Sequence, residues 1–235
     1  MISITIITVV KNNSEEILKT LSSINNQTYD NFEHIIIDSN STDGTSEIID
    51  RFNFKIKTIY LRENDNGIYQ ALNKGIRKAR GKFIGVLHSG DVFFCNDTLN
   101  KISKKIENFD AVFGAVAYYN RNKINRVWNF NQNYNNEINP LKIPHTSLFI
   151  KKSFFEAFGY YNEKYKISAD LDFLLSLKNK NLNFLCLNKT LVFMKSGGKS
   201  YSYKNFFTKF KEDFFILYKY YKLFCIFVYI YKIII

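Results

Sequence analysis

The sequence predicts an α/β fold in which a mainly parallel, Rossmann-like sheet is flanked by helices. Short segments rich in β-branched residues alternate with longer segments in which apolar residues recur at helical spacing. Each of the first four short segments is followed by a polar loop. Because alternating strands and helices form parallel sheets, whose ligands bind at the carboxyl ends of the strands, a site is expected at those loops.

The N-terminal part of the chain supplies four predicted strands, over residues 3–10, 33–38, 57–62 and 82–87. Predicted helices follow the first three of them, over residues 14–26, 44–52 and 68–79. Asn13 precedes the first helix and Glu16 follows three residues later, a pattern that predicts a side-chain cap with a reciprocal glutamate. Asp43 is expected to cap the second helix, with Gly44 forming a tight turn.

The later part of the chain is less regular. Helices are predicted over residues 99–106 and 153–158 and from residue 169 onward, with strands over residues 111–119 and 146–150. The Asn-rich region between residues 120 and 139 contains the single tryptophan, Trp128, and predicts a hairpin or a loop. Because no repeat or linker divides these parts, residues 1–200 are expected to form one domain.

Residues 201–235 form an appendage in which lysines are interleaved with aromatic residues before a closing apolar run. The run is shorter than the roughly 20 residues that a membrane-spanning helix needs. It favours a helical segment that lies on a membrane surface, with lysines toward anionic headgroups and aromatic residues in the interface. The alternative is a helix that packs on the domain or on the partner of a homodimer.

Charge and cysteine content restrict the classes of partner. The net charge of +12 favours anionic partners, but no segment resembles a nucleic-acid-binding module, so nucleic acid is not expected. The three cysteines are widely spaced in apolar surroundings, which indicates reduced thiols and a cytoplasmic setting: Cys95, Cys186 and Cys225. Met1 leads directly into a strand, so no secretory signal is predicted.

Asp91 stands at the end of a predicted buried strand, in the sequence His88-Ser89-Gly90-Asp91. A carboxylate is rarely placed there unless it is paired, hydrogen-bonded or holding a cation. The loops after the other three strands are polar as well, over residues 11–13, 38–45 and 63–67. The four loops are expected to meet at one edge of the sheet and to supply the surroundings of Asp91.

Four stretches carry a resemblance to a known family: "TIITVVKN", "IIIDSNSTDGT", "ENDNGIYQALNKGIRKARGKFIGVLHSGD" and "HTSLFIKKSFFEAFGYYNEKYKISADLDFLL". In this order and spacing the chain resembles inverting glycosyltransferases of family 2, which have the GT-A fold, over about its first 200 residues. The likeness is strongest to members that build O-antigen, capsule or exopolysaccharide. It implies sugar transfer from a UDP-, GDP- or dTDP-sugar to a lipid-linked saccharide at the inner face of the cell membrane.

The resemblance also implies a divalent cation, Mn²⁺ or Mg²⁺, that neutralises the diphosphate of the donor. Asp91 matches the metal-binding acid, while His88 and Gly90 occupy two positions where the family usually carries acids. Restoring an acid at Gly90 is therefore expected to lower the manganese requirement. The implied donor-binding residues are Thr8, Val10, Lys11, Asp38, Asn66, Gly67, Asn73 and His88.

On the acceptor side, Asp170 in "SADLDF" aligns with the catalytic base of the family, which takes the proton of the acceptor hydroxyl. Asp172 is the second choice, and because residues two apart on a helix point to different sides, one of the two should face the donor. His145 falls at a family position near the acceptor. The loop "KSGGKS", residues 195–200, either closes over the diphosphate or serves as a hinge to the appendage.

The sequence also bears on two other classes of protein. The depleted acid motif prompts a non-catalytic relative that binds a glycan or a protein partner, although Asp91 and Asp170 are both present. A dinucleotide-dependent oxidoreductase on a similar sheet is excluded, because Lys11-Asn12-Asn13 follows the first strand where the glycine fingerprint would stand.

Overall fold

The computed structural model describes residues 3–120, 123–128, 139–178, 180–195 and 203–234. Four parallel strands form its N-terminal half, in the order β3-β2-β1-β4: β1 (Ile4–Val10), β2 (Phe32–Asp38), β3 (Lys57–Arg62) and β4 (Phe83–Val86). The connecting helices are α1 (Ser14–Asn25), α2 (Thr45–Arg51) and α3 (Ile68–Lys78). Each agrees with its predicted element within two residues, and the carboxyl ends of the strands meet at one edge.

The second half of the sheet is mixed. It contains β5 (Val92–Phe93), β6 (Ala111–Asn120), β7 (Lys123–Trp128), β8 (Phe149–Lys151) and β9 (Phe184–Lys195), with helices α4 (Thr98–Ile106), α5 (Lys152–Phe158) and α6 (Ala169–Ser176). The strand order continues from β4 as β8-β6-β9-β5, and β7 pairs with β6. β8 is antiparallel to both neighbours, so the parallel arrangement predicted from the sequence describes the first four strands, together with the β6–β9 pair.

Two predictions for this half need correction. The strand predicted over residues 146–150 begins later, because His145–Ser147 forms a 3₁₀ turn in which the Ser147 hydroxyl donates to the carbonyl of Gly114. β9 was not predicted, since its exposed Asn188 and Lys189 interrupt the apolar pattern at an irregularity in its pairing with β6. The hairpin alternative for the Asn-rich region is correct for β6 and β7, and residues 129–138 lie outside the described residues.

The core lies on both faces of the sheet because successive side chains of a strand point to opposite sides. Ile7 and Val9 of β1 belong to a cluster with α3, α5 and α6. Ile4 and Ile6 face the other way and pack in a cluster that includes side chains of α1 and α4. The sheet is therefore flanked by helices on both sides, which leaves the loops at its carboxyl edge to form a site.

The appendage forms two helices, α7 (Tyr203–Tyr221) and α8 (Cys225–Ile234), joined by the 3₁₀ turn Lys222–Phe224. The chain folds back at this turn, so that the rings of Phe210 and Tyr229 lie 5.2 Å apart. Ile216 and Leu217 of α7 are fully buried in one cluster with Leu171 and Leu175 of α6. Helix α7 therefore packs on the domain, as in the second of the two arrangements expected for the appendage.

Among the described residues, one segment, Asn205–Lys232, has the length and apolar composition to cross a membrane. Composition alone is weak evidence, and here the segment is divided between α7 and α8 by the turn at Lys222. The two helices lie side by side as a hairpin.

Candidate active site

The loop after β4 carries Asp91 and is held in place by α1. The Thr20 hydroxyl accepts from the Gly90 amide at 2.9 Å and donates to the carbonyl of Asp91 at 2.8 Å. Gly90 has a φ of 102°, a left-handed conformation that strains residues with a side chain. This turn gives a physical reason for glycine where the family usually has an acid, since an aspartate at position 90 would adopt a strained backbone conformation. The lower manganese requirement expected of Gly90→Asp stays a prediction.

Asn13 connects the loop after β1 to the Asp91 loop. Its Nδ2 donates to the carbonyl and to the hydroxyl of Ser89, at 3.1 and 2.8 Å. The predicted cap with a reciprocal glutamate is therefore wrong, because Asn13 makes no side-chain cap and Glu16 pairs with Lys19 and Lys195. The asparagine instead ties two of the polar loops together.

Asp91 is buried, and burial raises the pKa of its carboxyl group to about 7, although the charge of His145 acts in the opposite direction. A buried carboxylate that is costly to ionise gains from a nearby cation. Among the described residues, no three His, Cys, Asp or Glu side chains lie together as a metal site. The buried carboxyl group of Asp91 is thus one that a bound cation would stabilise in its ionised form.

Asp170 lies in the first turn of α6 and is held from two sides. Its Oδ1 lies 2.9 Å from the Tyr69 hydroxyl, whose single proton is shared between Asp170 and the carbonyl of Ile167 at 2.5 Å, and its Oδ2 lies 3.1 Å from Nδ1 of His145. Burial would raise the pKa of Asp170, but His145 and Tyr69 outweigh it and hold the pKa well below its usual range. Asp170 in turn raises the pKa of His145 against the effect of burial.

His145 joins the two halves of the site. Its ring centroid is 5.6 Å from that of His88, and its charge acts on both Asp91 and Asp170. The fold thus brings together four of the predicted site residues from three distant segments of the chain.

Asp172 points away from this cluster. Its Oδ1 pairs with Lys219 of α7 at 2.8 Å, and its side chain is 10% exposed, compared with 24% for Asp170. Tyr220 donates to its backbone carbonyl. The two aspartates therefore have different surroundings, as their spacing predicts, and Asp170 is the one that faces the histidines.

Glu212 of α7 was missed by the sequence analysis. Its carboxylate accepts from three successive backbone amides, those of Lys166, Ile167 and Ser168, at 2.7, 2.9 and 3.0 Å. These amides lead into α6, whose first N–H groups have no partner within the helix. Because Glu212 lies 44 residues away from Ser168, no local spacing indicates that it holds the start of the helix that carries Asp170.

Asp38 is fully buried, and each carboxylate oxygen already accepts two hydrogen bonds. Oδ1 accepts from the amide and hydroxyl of Ser41, and Oδ2 accepts from the hydroxyls of Ser46 and Tyr60. Burial alone would raise the pKa of Asp38, but these hydrogen bonds outweigh it and lower the pKa. Asp38 holds the loop after β2 in shape. Because both of its carboxylate oxygens are already bonded within the protein, it would affect donor binding by positioning that loop.

Asp43 and Gly44 complete this loop. Asp43 accepts from the amide of Thr45 at the start of α2 and also from the amide of Ser14 at the start of α1, at 3.1 and 3.0 Å. Gly44 has a φ of 93°, as expected of a tight turn. The N-cap position of α2 is Gly44, so Asp43 is not the capping residue that was predicted; from the preceding position it binds the first amide of α2 and the first amide of α1.

Thr8 and Val10 do not line a pocket with their side chains. Both are buried, because β1 is a central strand covered on both faces, and the Thr8 hydroxyl bonds Nε2 of His34 at 2.9 Å. Lys11, the next residue, is exposed at the carboxyl edge. Of these three predicted donor-binding residues, Lys11 alone presents its side chain to solvent.

Asn73 is also buried and serves the fold. Its amide group bonds the backbone of Tyr161 in both directions and Oε1 of Glu163, each at 2.9 or 3.0 Å. It therefore fixes the segment that leads to α6, where the resemblance implied a contact with the donor. Asn66 and Gly67 are exposed at the carboxyl edge before α3 and stay predictions. Residues 196–200 of the glycine-bearing loop lie outside the described residues.

Comparison with known proteins gives a family and a fold. Residues 5–162 match the profile of Glycosyl transferase family 2. A PGL/p-HBAD biosynthesis glycosyltransferase of Mycobacterium tuberculosis is 32% identical over 158 residues, 65% of this chain and 60% of the relative. Glycosyltransferase GlyG of Streptococcus pneumoniae is 30% identical over 119 residues, 50% of this chain and 39% of the relative. The chain spans about 60% of the length of the mycobacterial relative.

Two solved structures share the fold at low sequence identity. S. aureus TarS 1–349 in complex with UDP-GlcNAc superimposes with a TM-score of 0.69 at 18% identity, covering 93% of this chain and 67% of that one. Mannosyltransferase PcManGT from Pyrobaculum calidifontis, in complex with GDP-Man and Mn²⁺, gives 0.64 at 21% identity, covering 84% and 58%. The likeness extends over most of the described sheet and its helices.

Proposed function

The chain belongs to glycosyl transferase family 2 and has the GT-A fold, and from this premise we propose that it transfers a sugar from a nucleotide-sugar to a hydroxyl group with inversion. One observation carries the proposal: Asp170, held by Tyr69 and His145, lies in one cluster with His88 and the buried Asp91. Related structures bind UDP-GlcNAc or GDP-Man, which supports a donor of this class.

In this proposal Asp170 is the general base. Its low pKa keeps it ionised at neutral pH, and it accepts the proton of the acceptor hydroxyl as that oxygen attacks the anomeric carbon. Tyr69 and His145 hold both carboxylate oxygens in place, which fixes the direction of the proton transfer. Attack from the face opposite the departing nucleotide diphosphate gives inversion.

Asp91 would hold a divalent cation, Mn²⁺ or Mg²⁺, together with oxygens of the donor diphosphate. When bound, the cation neutralises charge on the leaving group. His88 lies on the same loop and reaches His145, so it belongs to the same surroundings. Because Asp91 is the one acid of its loop, the affinity for the cation should depend strongly on bound donor.

Thermal denaturation of the full chain with UDP-, GDP- and dTDP-sugars, with and without Mn²⁺, tests this proposal. We expect one nucleotide class to raise the melting temperature, Mn²⁺ to enlarge the increase, and Asp91→Asn to remove the part that depends on Mn²⁺. The neutral amide should not harm the fold, because burial disfavours the ionised form of Asp91.

The matched control is Asp97→Asn, which replaces a half-exposed aspartate on the segment that follows and should keep the effect of Mn²⁺. An effect of Mn²⁺ that survives in Asp91→Asn would contradict the assignment of Asp91. Glycan binding without hydrolysis or transfer of any donor would favour the non-catalytic alternative.

We extend the proposal to a lipid-linked saccharide acceptor at the inner face of the cell membrane, in the biosynthesis of a surface polysaccharide such as O-antigen, capsule or exopolysaccharide. The C-terminal hairpin supports it, because Leu223, Phe224 and Phe227 are 85%, 70% and 71% exposed. Lys219 and Lys222 are exposed beside them, and the chain carries a net charge of +12. Such a surface suits an anionic membrane.

Replacing Phe224 and Phe227 with serine should reduce co-flotation with vesicles of phosphatidylcholine and phosphatidylglycerol by about tenfold or more, since each phenylalanine gains ~1.5–3 kcal/mol on burial. The control replaces Ile124 and Val127 of β7, which are also exposed, with serine. Deletion of residues 203–235 is a poor test, because it removes Glu212 and the buried face of α7. A change from dimer to monomer with unaltered flotation would instead assign the surface to a homodimer.

A further inference from the structure

Two lysines of the C-terminal hairpin share one buried carboxylate. Asp213 of α7 is 3% exposed, and its Oδ2 lies 3.1 Å from Nζ of Lys209 and 2.6 Å from Nζ of Lys232 in α8. These three residues are called the lysine cluster. Two positive charges and one negative charge leave it with a net charge of +1.

The excess charge is accessible from solvent. The side chain of Lys209 is 36% exposed and that of Lys232 is 20% exposed, whereas Asp213 is enclosed between them. Each ammonium group has three N–H donors and directs one of them to Oδ2 of Asp213, so both lysines keep donors for a further anion; Asp170 also acts on both charges. Burial lowers the pKa of Lys232 because it disfavours the charged ammonium form, and an anion beside the group would stabilise that form.

The lysine cluster lies beside the proposed base. Glu212, the residue before Asp213, binds the amides of residues 166–168, and Asp170 follows them in the first turn of α6. The charge of Lys209 contributes to the low pKa of Asp170. The donor-side loops after β1 to β4 contribute none of the three residues, so the cluster lies outside the site already described.

We propose that the lysine cluster binds a phosphate group next to Asp170, and that this group belongs to an anionic acceptor lipid. Lysine binds phosphate as a point charge. The same hairpin borders a largely apolar groove of about 450 Å³ whose lining includes Leu141, Phe224 and Val228. Val228 lies one helical turn before Lys232 on the same side of α8. A phosphate that carries an apolar chain suits both features. The identity of the acceptor rests on the proposed function, whereas the phosphate site does not.

Titration calorimetry of the full chain with farnesyl phosphate tests the site. We expect binding to weaken about tenfold or more in Lys209→Met, because a charge-assisted contact is lost. Lys232 remains as the partner of Asp213 in this variant, so the fold should be kept, and a melting curve checks it. Asp213→Asn should tighten binding, because both lysines then lose the carboxylate that they share.

Lys211→Met is the matched control, since Lys211 is an exposed lysine two residues along the same helix. It should bind farnesyl phosphate within about twofold of the unaltered chain, as an exposed charge contributes little. Equal losses in Lys209→Met and Lys211→Met, or unchanged binding in Lys209→Met, would overturn the site.

Vesicles of phosphatidylcholine with and without phosphatidylglycerol distinguish the source of the phosphate. If Lys209→Met weakens farnesyl phosphate binding alone, the site takes the phosphate of the acceptor, as proposed. If it weakens binding to the anionic vesicles equally, the assignment to the acceptor is wrong and the site takes membrane headgroups. Binding is measured without sugar transfer, so failure of the proposed enzymatic activity would be recorded separately.

Discussion

Asp170→Asn is expected to lower the rate of sugar transfer by roughly 10²–10⁴-fold, the usual contribution of a general base. The amide has nearly the shape of the carboxylate but does not take the proton of the acceptor hydroxyl. Donor binding should persist, because the donor is assigned to the loops after β1 to β4. Single-turnover transfer, with the donor-induced increase in melting temperature measured in parallel, separates the two effects.

Asp172→Asn is the control for this prediction. Its carboxylate pairs with Lys219 on another side of α6, so its loss should affect stability more than the rate of transfer. A second readout is the pKa of His145, which the charge of Asp170 raises and which should fall in Asp170→Asn by NMR titration. Equal rates for the two variants would remove Asp170 from the role of base.

Glu212→Gln is expected to lower kcat about 10- to 100-fold, with donor affinity unchanged. The carboxylate accepts from three backbone amides, and an amide group would turn an N–H donor toward at least one of them. The start of α6 would shift, and a small displacement of Asp170 is costly because proton transfer depends on its position. Glu212 is thus a positioning residue that acts through Asp170.

Steady-state kinetics with donor binding measured by thermal shift checks this second prediction. Glu156→Gln, which removes one surface ion pair with Lys152 at 3.4 Å, is the control and should leave both quantities nearly unchanged. Glu212→Asp should recover part of the rate, since it restores a carboxylate on a shorter side chain. A general loss of stability with equal effects on kcat and donor binding would show that Glu212 supports the fold alone.

The sequence predicted the N-terminal half of the sheet well because its signals are local. Each strand there is an apolar run that ends in a polar loop, and each helix begins after it, so neither depends on distant residues. Asp91, His145 and Asp170 were named one by one through the family resemblance, and their roles stay predictions. The structure adds that His145 lies close enough to act on both Asp91 and Asp170, which the positions of these residues along the chain do not indicate.

The sequence is less informative where a residue type has two uses. Thr8 and Asn73 are polar residues near the expected site, but both are buried. The Thr8 side chain bonds His34, and the Asn73 side chain bonds residues 161 and 163. Tyr69 and Glu212 were missed because their partners lie 101 and 44 residues away. Such contacts depend on how helices pack, which periodicity does not reveal.

Helix α7 sets a length scale for the acceptor. From Glu212, which holds the start of α6, nine further residues bring the helix to its end at Tyr221, a distance of about 14 Å at 1.5 Å per residue. The apolar residues proposed to contact the membrane begin just beyond that point. For a protein seated on a membrane through them, Glu212 and the start of α6 that it holds would stand no more than about 14 Å from the lipid along this helix. On the proposed function, we therefore expect the enzyme to act on hydroxyl groups of the sugars close to the lipid and not on the far end of a long polymer.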